Sequence, residues 1–410
     1  MTTAAIIAEF NPFHNGHTHL LQKVRERGAD RIIALMSGDF VQRGEPAIVD
    51  RYARAEMALK GGADLVLSYP VRYATSSAER FADAAVRILD ALHVVDVIAF
   101  GSESGEADVL MSCARELAHE SKDMRQKLQD GLKEGLSFPK ARAIAVPAYK
   151  DLLSAPNNIL GVEYGKALIR NESGMEPWTF ARIGQPHQDG QTIAPYASAS
   201  AIRNKVEEDY TRLMEKQPSD LIEDAIHAAV PEATAEILTD ALNRDGLILP
   251  EDFLALLLMR IWETDRPESL EIYQDVTPSL ACTILKKRQE FRSVREFAEM
   301  CASKSLTISH VSRALLHIAL GMRKDAAAEG ALLTQVLGFR EEAGDLLSLI
   351  KRNALIPVIV RPAEDSCVLL EGQRALFAEE MYLANLCEAM RAAKGGRDAV
   401  HACSRGVVKI

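Results

Sequence analysis

Two histidines near the start of the chain have the spacing of a site that handles phosphates. His14 and His17 flank Gly16, and they stand between a short apolar run and a segment with helical spacing. The free N–H groups of a helix N-terminus bind anions, and a glycine lets a ligand approach the backbone closely. Nucleotidyl transfer mainly needs positioning and donors aimed at the phosphate that gains charge. The pattern therefore predicts that both imidazoles act on a nucleotide phosphate, although two ordinary polar loop residues would have the same spacing.

Other polar groups further along the chain could complete a nucleotide site. Arg43, in the loop SGDFVQRGEP, suits bidentate binding of a phosphate, with a loop salt bridge as the alternative. Gly101 ends an apolar run, where a base or ribose could lie against bare backbone. Ser198 and Ser200 precede Arg203 at a predicted helix start. These three residues could clamp the β- and γ-phosphates of ATP, and the alternative is a serine N-cap beside a surface arginine.

The elements that must position these groups alternate between strand and helix. Segments with helical spacing separate the runs that predict strands, which lie at 4–8, 31–36, 64–68, 94–100 and 179–183. Strands that are continuous apolar runs between helices form a parallel sheet covered on both faces, and ligands bind beyond the carboxyl ends of such strands. The sequence therefore predicts an α/β fold with a Rossmann-like parallel sheet and a site at the strand ends.

The length of 410 residues exceeds what one ordinary core needs and predicts two domains. Beyond about residue 215 the chain becomes a series of amphipathic helical stretches, with 355–360 as the main strand-like exception. We therefore predict an α/β catalytic domain over 1–214 and a mainly helical domain over 215–410.

The overall composition excludes several classes of protein. A formal net charge of −10 argues against a chain that coats nucleic acid along its whole surface. The six cysteines form no CxxC pair, which predicts no zinc site and fits a reducing cytoplasm. The first apolar run, of about five residues, is too short for a signal peptide or a membrane span. We therefore expect a cytoplasmic protein with no membrane partner and no protein-bound metal.

Read in order, EFNPFHNGH, SGDFVQRGEPA, GGADLV, FGSESG, PNNILGVEYGKAL and ASASAIR resemble the tRNA(Met) cytidine acetate ligase family. The resemblance covers about residues 4 to 206 and continues more loosely to the C-terminus. It implies that ATP activates acetate as acetyl-adenylate with release of pyrophosphate. The acetyl group then passes to the exocyclic amine of the wobble cytidine in elongator tRNA(Met).

By matching positions, the resemblance also implies the members of the site. His14 and His17 would stabilise charge on the α-phosphate. Together with Arg43 and Arg203, which their residue types suggest, they are the expected catalytic residues. We also expect Mg²⁺ to accompany ATP without a recognisable protein cage. The residues expected to bind ATP are Ile7, Ala8, Glu9, Phe10, Asn11, Pro12, Phe13, His14, Asn15, Gly16, His17, Thr18, His19, Leu20, Gly101, Asn157, Asn158, Arg182, Ile183, Ser198 and Ser200. Without the resemblance, Asn157, Asn158 and Arg182 would be taken for helix caps and a strand-end salt bridge.

The sequence departs from the family pattern at three places. Phe10 stands where the family often has tyrosine, and Ser68 with Tyr69 stands where it usually has Glu-Leu. Ser309 and His310 stand in the stretch where it often carries a further arginine. The last departure weakens the inference about RNA but not the inference about ATP.

A basic segment partly restores the inference about RNA. Between Lys286 and Lys324 the chain has nine basic and three acidic residues, a local charge of +6. Phosphate contacts are electrostatic and local, so such a segment can bind RNA on an acidic protein, and a solvated helical face is the alternative. The residues expected to contact tRNA are Lys286, Lys287, Arg288, Arg292, Lys304 and Arg313.

Two other functions fit parts of the sequence. An adenylyltransferase for a small cofactor precursor would leave about 200 residues and the basic segment without a role. A non-catalytic RNA-binding protein with a vestigial nucleotide site would not need the intact His14, Gly16, His17 and Arg43. The sequence leaves open the selectivity for acetate, the tRNA identity elements and the oligomeric state.

Overall fold

Strands and helices alternate through the first part of the chain, as the computed structural model shows for residues 1–183, 195–214 and 224–410. The strands are β1 (Thr3–Ala8), β2 (Arg31–Ser37), β3 (Phe40–Val41), β4 (Glu45–Pro46), β5 (Leu65–Tyr69), β6 (Val97–Ser102), β7 (Glu176–Ala181), β8 (Thr334–Phe339), β9 (Val358–Ile359) and β10 (Val408–Lys409). The predicted polar loop after β7 lies, apart from Pro195, outside the described residues.

Helices alternate with the strands in the first half of the chain, and the second half is mainly a helical assembly that begins at Asp224. The first nine are α1 (Asn15–Glu26), α2 (Arg51–Lys60), α3 (Val71–Ala74), α4 (Ala78–Asp90), α5 (Ala107–Ala118), α6 (Lys122–Lys133), α7 (Phe138–Ala145), α8 (Pro156–Arg170) and α9 (Ala199–Met214). The others are α10 (Asp224–Ala229), α11 (Glu232–Asp245), α12 (Leu254–Trp262), α13 (Glu268–Glu271), α14 (Pro278–Lys287), α15 (Val294–Cys301), α16 (Ile308–Leu320), α17 (Gly344–Asn353), α18 (Pro362–Asp365) and α19 (Glu371–Gly395).

The central strands run parallel in the order β5-β2-β1-β6-β7. Strand β1 pairs with β2 on one side and with β6 on the other, so the direction in which the sheet grows reverses beside β1. A crevice forms at such a switch point, beyond the carboxyl ends of the strands. The predicted α/β fold with a parallel sheet is confirmed, although β6 and β7 are shifted by a few residues from the predicted runs.

Alternating residues of the central strands face two separate hydrophobic clusters. Ala5 and Ile33 belong to one cluster, and their neighbours Ala4, Ile6 and Ile32 belong to the other. The sheet is therefore buried on both faces, which is why its strands are continuous apolar runs in the sequence. A third cluster fills the space between α12, α14, α15 and α16.

The second half of the chain also contributes to the sheet. Strand β8 pairs antiparallel with β5, and β9 and β10 pair with β8. The sequence did not predict β8, and the strand expected at 355–360 is limited to Val358–Ile359. The sheet thus crosses the predicted boundary at residue 214, and a division of the chain there stays a prediction.

The long helix α19 connects the third cluster with the sheet. Its residues Leu383 and Cys387 belong to the third cluster, and Leu376 and Phe377 belong to a cluster on the sheet. Among the described helices, none is long and apolar enough to cross a membrane.

Candidate active site

The two histidines lie at the N-terminus of α1, directly after the central strand β1. His14 is the N-cap residue, and its Nδ1 accepts a hydrogen bond from the Gly16 amide at 3.1 Å. The His14 amide in turn donates to Nδ1 of His17 at 3.2 Å. Because each Nδ1 accepts a backbone N–H, the proton of each neutral ring is on Nε2. Neither Nε2–H group has a hydrogen-bond partner among the described residues.

His14 is buried and His17 is half-buried in this turn. The two imidazole rings stack with centroids 3.7 Å apart, and the rings of Phe10 and Phe13 pack on His17 at 4.9 and 5.4 Å. Burial, followed by the positive charges of Arg182 and Arg203, lowers the pKa of His14 to about 3. Burial and the neighbouring His14 lower the pKa of His17 well below its ordinary value. Both rings are therefore neutral hydrogen-bond donors at physiological pH.

The rest of the predicted segment 7–20 divides into packing residues and polar residues. Phe10, Asn11 and Phe13 are buried, so their side chains shape the turn. Glu9 accepts the Gln42 amide at 3.0 Å through its carboxylate. The departure at Phe10 leaves an aromatic ring that packs in the core and contacts His17.

A buried arginine holds the strand ends around this turn. Arg54 on α2 is fully buried and donates to the carbonyl oxygens of Glu9 at 2.7 Å and Ser37 at 3.0 Å. It also donates to the carbonyl of Gly38. The ends of β1 and β2 are thereby fixed relative to one another. Sequence reasoning missed Arg54, since an arginine inside an amphipathic helix is usually a surface residue.

The predicted residues on β6, α8 and β7 come together beside the histidines. A Cβ added to Gly101 would lie 3.1 Å from Cγ of Arg182, so this side chain crosses the glycine closely. Nη1 of Arg182 lies 3.4 Å from Oδ1 of Asn157. The buried Asn158 accepts the Ser104 amide at 3.0 Å and so orders the loop after β6.

An acidic residue that the sequence did not single out caps this part of the site. Glu103 accepts the amide of Asn158 at 2.8 Å and the side-chain amide of Asn157 at 2.7 Å. It therefore occupies the N-terminus of α8, where backbone donors would otherwise be free. Ile183 is exposed and is the last described residue before 195.

The residues predicted to clamp phosphate form another wall. Arg203 donates to the Asn11 carbonyl at 2.9 Å and to Oγ of Ser200 at 3.4 Å. Ser198 accepts the Ala201 amide at 3.2 Å, as a helix cap does. Arg43 is exposed and lines an open cleft together with Ser200 and Arg203. The structure thus places these groups beside the turn that carries the histidines, and their action on phosphate stays a prediction.

The basic segment separates into free and engaged cations. Lys287 donates to the Met300 carbonyl at 2.6 Å, and Arg288 donates to the Thr264 carbonyl at 2.8 Å. Arg313 forms an ion pair with Asp275 at 2.7 Å. The other three residues expected to contact tRNA are exposed and form no hydrogen bond or ion pair with a described residue: Lys286, Arg292 and Lys304. The segment can therefore offer fewer charges to RNA than its sequence indicates, and its contact with tRNA stays a prediction.

Comparison with known proteins agrees with this geometry. The sequence model of the HIGH Nucleotidyl Transferase family matches residues 1–397, which fits the histidines at the switch point of the sheet. Fold and site therefore define a nucleotidyl transferase of the HIGH class.

More specific relatives cover nearly the whole chain. A tRNA(Met) cytidine acetate ligase of Caldanaerobacter subterraneus subsp. tengcongensis is 36% identical over 93% of this chain and 95% of the relative. One of Caldicellulosiruptor bescii is 37% identical over 86% and 85%. The chain thus belongs to the tRNA(Met) cytidine acetate ligase family, as the sequence motifs indicated.

A solved structure extends the similarity to the complete fold. The crystal structure of Thermotoga maritima TmcAL bound with alpha-thio ATP superposes with a TM-score of 0.86 at 29% identity, over 100% of both chains. The apo crystal structure of the same protein gives a TM-score of 0.87.

Proposed function

We propose that this chain is an ATP-dependent ligase that activates acetate as acetyl-adenylate and acetylates the wobble cytidine of elongator tRNA(Met). The observation that carries the proposal is the stacked pair His14 and His17 at a helix N-terminus, whose Nε2–H donors have no hydrogen-bond partner in the described part of the chain. The names of the relatives supply the acceptor, and the ATP analogue bound to the Thermotoga maritima protein supports the nucleotide.

Activation of acetate requires little covalent participation by the protein. An acetate oxygen attacks the α-phosphorus of ATP, and pyrophosphate leaves with the bonding electrons. Negative charge then grows on the α-phosphate oxygens and on the departing group. Neutral donors in a water-poor site stabilise such charge strongly. In this proposal His14 and His17 serve the α-phosphate, while Arg43 and Arg203 serve the pyrophosphate end.

Mg²⁺ would enter this site with the nucleotide. Among the described residues, no group of three or more His, Cys, Asp or Glu side chains is placed to hold a metal ion. Mg²⁺ usually keeps several waters and binds through substrate phosphates. The proposal therefore assigns Mg²⁺ to the phosphates of ATP, with no dedicated protein cage. As a separate part of the proposal, the reaction takes place in the cytoplasm.

The direct test is incubation of the protein with labelled acetate, ATP and total tRNA, followed by nucleoside analysis. We expect label in N4-acetylcytidine, and acetate-dependent exchange of pyrophosphate into ATP when tRNA is omitted. An adenylyltransferase for a small cofactor precursor would show neither activity. A tRNA-binding protein with a vestigial site would bind tRNA without exchange, and either result would overturn the proposal.

A further inference from the structure

An open cleft beside the histidines is large enough for a second substrate. It has a volume of about 380 Å³, within the roughly 300–1,000 Å³ usual for small-molecule sites. The β3–β4 hairpin and α9 form one side, and the segment 247–250 with Arg295 forms the other. The cleft therefore lies between the parallel sheet and the helical assembly.

The cleft is connected to the histidine turn by direct hydrogen bonds. Its lining residues Arg203 and Ile48 donate to the main-chain and side-chain oxygens of Asn11, at 2.9 and 3.0 Å. Burial lowers the pKa of Arg203, while the charges of Glu9 and Glu45 oppose this change. Arg203 in turn lowers the pKa of His14. Glu45 and His14 thus lie within electrostatic range of the same guanidinium group.

Two carboxylates line the cleft, and Glu45 is the one without a described partner. Glu207, which also lines the cleft, is 3.3 Å from the guanidinium of Arg295. The half-buried Glu45 carboxylate forms no hydrogen bond or ion pair with any described residue. It is therefore free to accept a hydrogen bond from a molecule in the cleft.

The hairpin that carries Glu45 is fixed from two sides. Gly44 has a φ of +80°, and a Cβ there would lie 2.4 Å from the amide nitrogen of Arg313 on α16. At the other end of the hairpin, the rings of Phe40 and Phe253 are in contact, with centroids 5.4 Å apart. Glycine is thus required at 44, and the position of the carboxylate is set by packing against the helical assembly.

We propose that this cleft, after pyrophosphate has left it, receives the cytosine ring that is acetylated, and that Glu45 accepts the proton of its exocyclic amine. The identity of the ring rests on the proposed function. A carboxylate is the usual acceptor for the N4 amine of cytosine. A base must leave its stack to reach an enzyme's reacting atoms, and a pocket beside the nucleotide site provides the space.

The step balances with the groups present in the proposed reaction. N4 of cytosine attacks the carbonyl carbon of acetyl-adenylate, and a C–N bond forms. The bond from that carbon to the phosphate oxygen breaks, and AMP leaves with its electron pair. N4 loses one proton, which passes to the Glu45 carboxylate. The products are N4-acetylcytidine, AMP and a protonated Glu45 that returns its proton to water.

Glu45→Gln tests this step because glutamine keeps the size of the side chain and removes its basicity. With an unmodified transcript of elongator tRNA(Met), we expect single-turnover acetyl transfer to fall by about a hundredfold or more, as loss of a general base does. Acetate-dependent ATP–pyrophosphate exchange should stay within about twofold of wild type, and it also reports that the variant is folded. The Kd for tRNA should change by less than about threefold. The matched control is Glu56→Gln, which removes the carboxylate of a partly exposed i,i+4 ion pair with Lys60 on α2 and should change neither activity.

The outcomes separate the inference from the proposed function. If wild type shows neither exchange nor transfer, the proposed function itself fails. If wild type is active and Glu45→Gln transfers acetyl normally, Glu45 is not the base and the inference is overturned. Equal loss of exchange and transfer would place Glu45 on the ATP side and would also overturn it. Rescue of transfer in Glu45→Asp, but not in Glu45→Gln, would support the role of the carboxylate.

Discussion

The β3–β4 hairpin and the residue before it supply charged side chains to two clusters, one buried and one bordering an open cleft. Asp39 lies in a sealed cluster, where Arg51 donates to its carboxylate at 2.7 Å and Arg391 at 3.0 Å. Four and six residues later, Arg43 and Glu45 border the open cleft, and Glu45 has no partner among the described residues. The comparison teaches that residue type alone does not separate structural from functional charges. What separates the two carboxylates is whether their hydrogen-bonding capacity is already used by described residues.

The sealed cluster is a structural tie between distant parts of the chain. Burial opposes ionisation of Asp39, but Arg51, Arg391 and Arg54 hold its pKa below the ordinary value. Arg391 belongs to α19, 352 positions from Asp39, so the cluster fixes the C-terminal helix on the loop after β2. A buried pair of this kind is costly to break because removal of one partner leaves the other charge uncompensated.

The largest effect is therefore expected from Asp39→Asn. The variant leaves Arg51 and Arg391 buried without the carboxylate to which both donate, and it should lose about 3–5 kcal/mol of unfolding free energy. Glu45→Gln, in the open cluster, should change it by less than about 0.5 kcal/mol. Urea unfolding of both variants measures the difference. Equal losses would contradict the distinction between the two clusters.

The histidine pair tests the same comparison at the candidate active site, because the Nε2–H donors of both rings have no partner among the described residues. His14→Asn retains an N-cap side chain but removes the ring, so acetyl-adenylate formation should fall by about a hundredfold. Measured by ATP–pyrophosphate exchange, the exposed His119→Asn should be unaffected. Normal exchange in His14→Asn would remove the histidine from the reaction.

In the basic segment, the distinction between engaged and unengaged charges makes a prediction about RNA binding. Combined reversal of Lys286, Arg292 and Lys304 to glutamate should weaken tRNA binding by about tenfold or more and flatten its dependence on salt. Exchange and melting temperature should not change. Reversal of the engaged residues Lys287 and Arg313 should lower the melting temperature instead. If the first variant binds tRNA as wild type does, the RNA surface lies elsewhere.

A separate effect, on the pH dependence of stability, is expected from a neighbour of the sealed cluster, Glu380. Burial raises the pKa of this carboxyl to about 8, and it accepts the Val71 amide at 2.6 Å. The folded state therefore binds more protons than the unfolded state between pH 4.5 and 8, so stability falls as pH rises through that window. Glu380→Gln should remove this slope and be more stable than wild type at pH 8. An unchanged slope in unfolding measurements from pH 5 to 8 would contradict the assignment.

The sequence determined those parts of the protein that depend on short-range order. The continuous apolar runs predicted the parallel strands because successive residues of the central strands face hydrophobic clusters on opposite sides of the sheet. The turn from β1 into α1 was predicted because His14, Gly16 and His17 interact within four residues. The motifs that identified the family lie in the same local segments.

Tertiary structure alone decided which of the charged groups are free. The engagement of Asp39 by Arg391, the pairing of Arg313 with Asp275 and the contact of Gly44 with α16 join residues far apart in the chain. It also decided that β8 joins the sheet beside β5, across the predicted domain boundary. No local pattern reports such contacts, because a side chain's burial and partners depend on how distant segments pack. The neutrality of His14 and His17 has the same origin, since the water that would stabilise their charge is excluded by the folded chain.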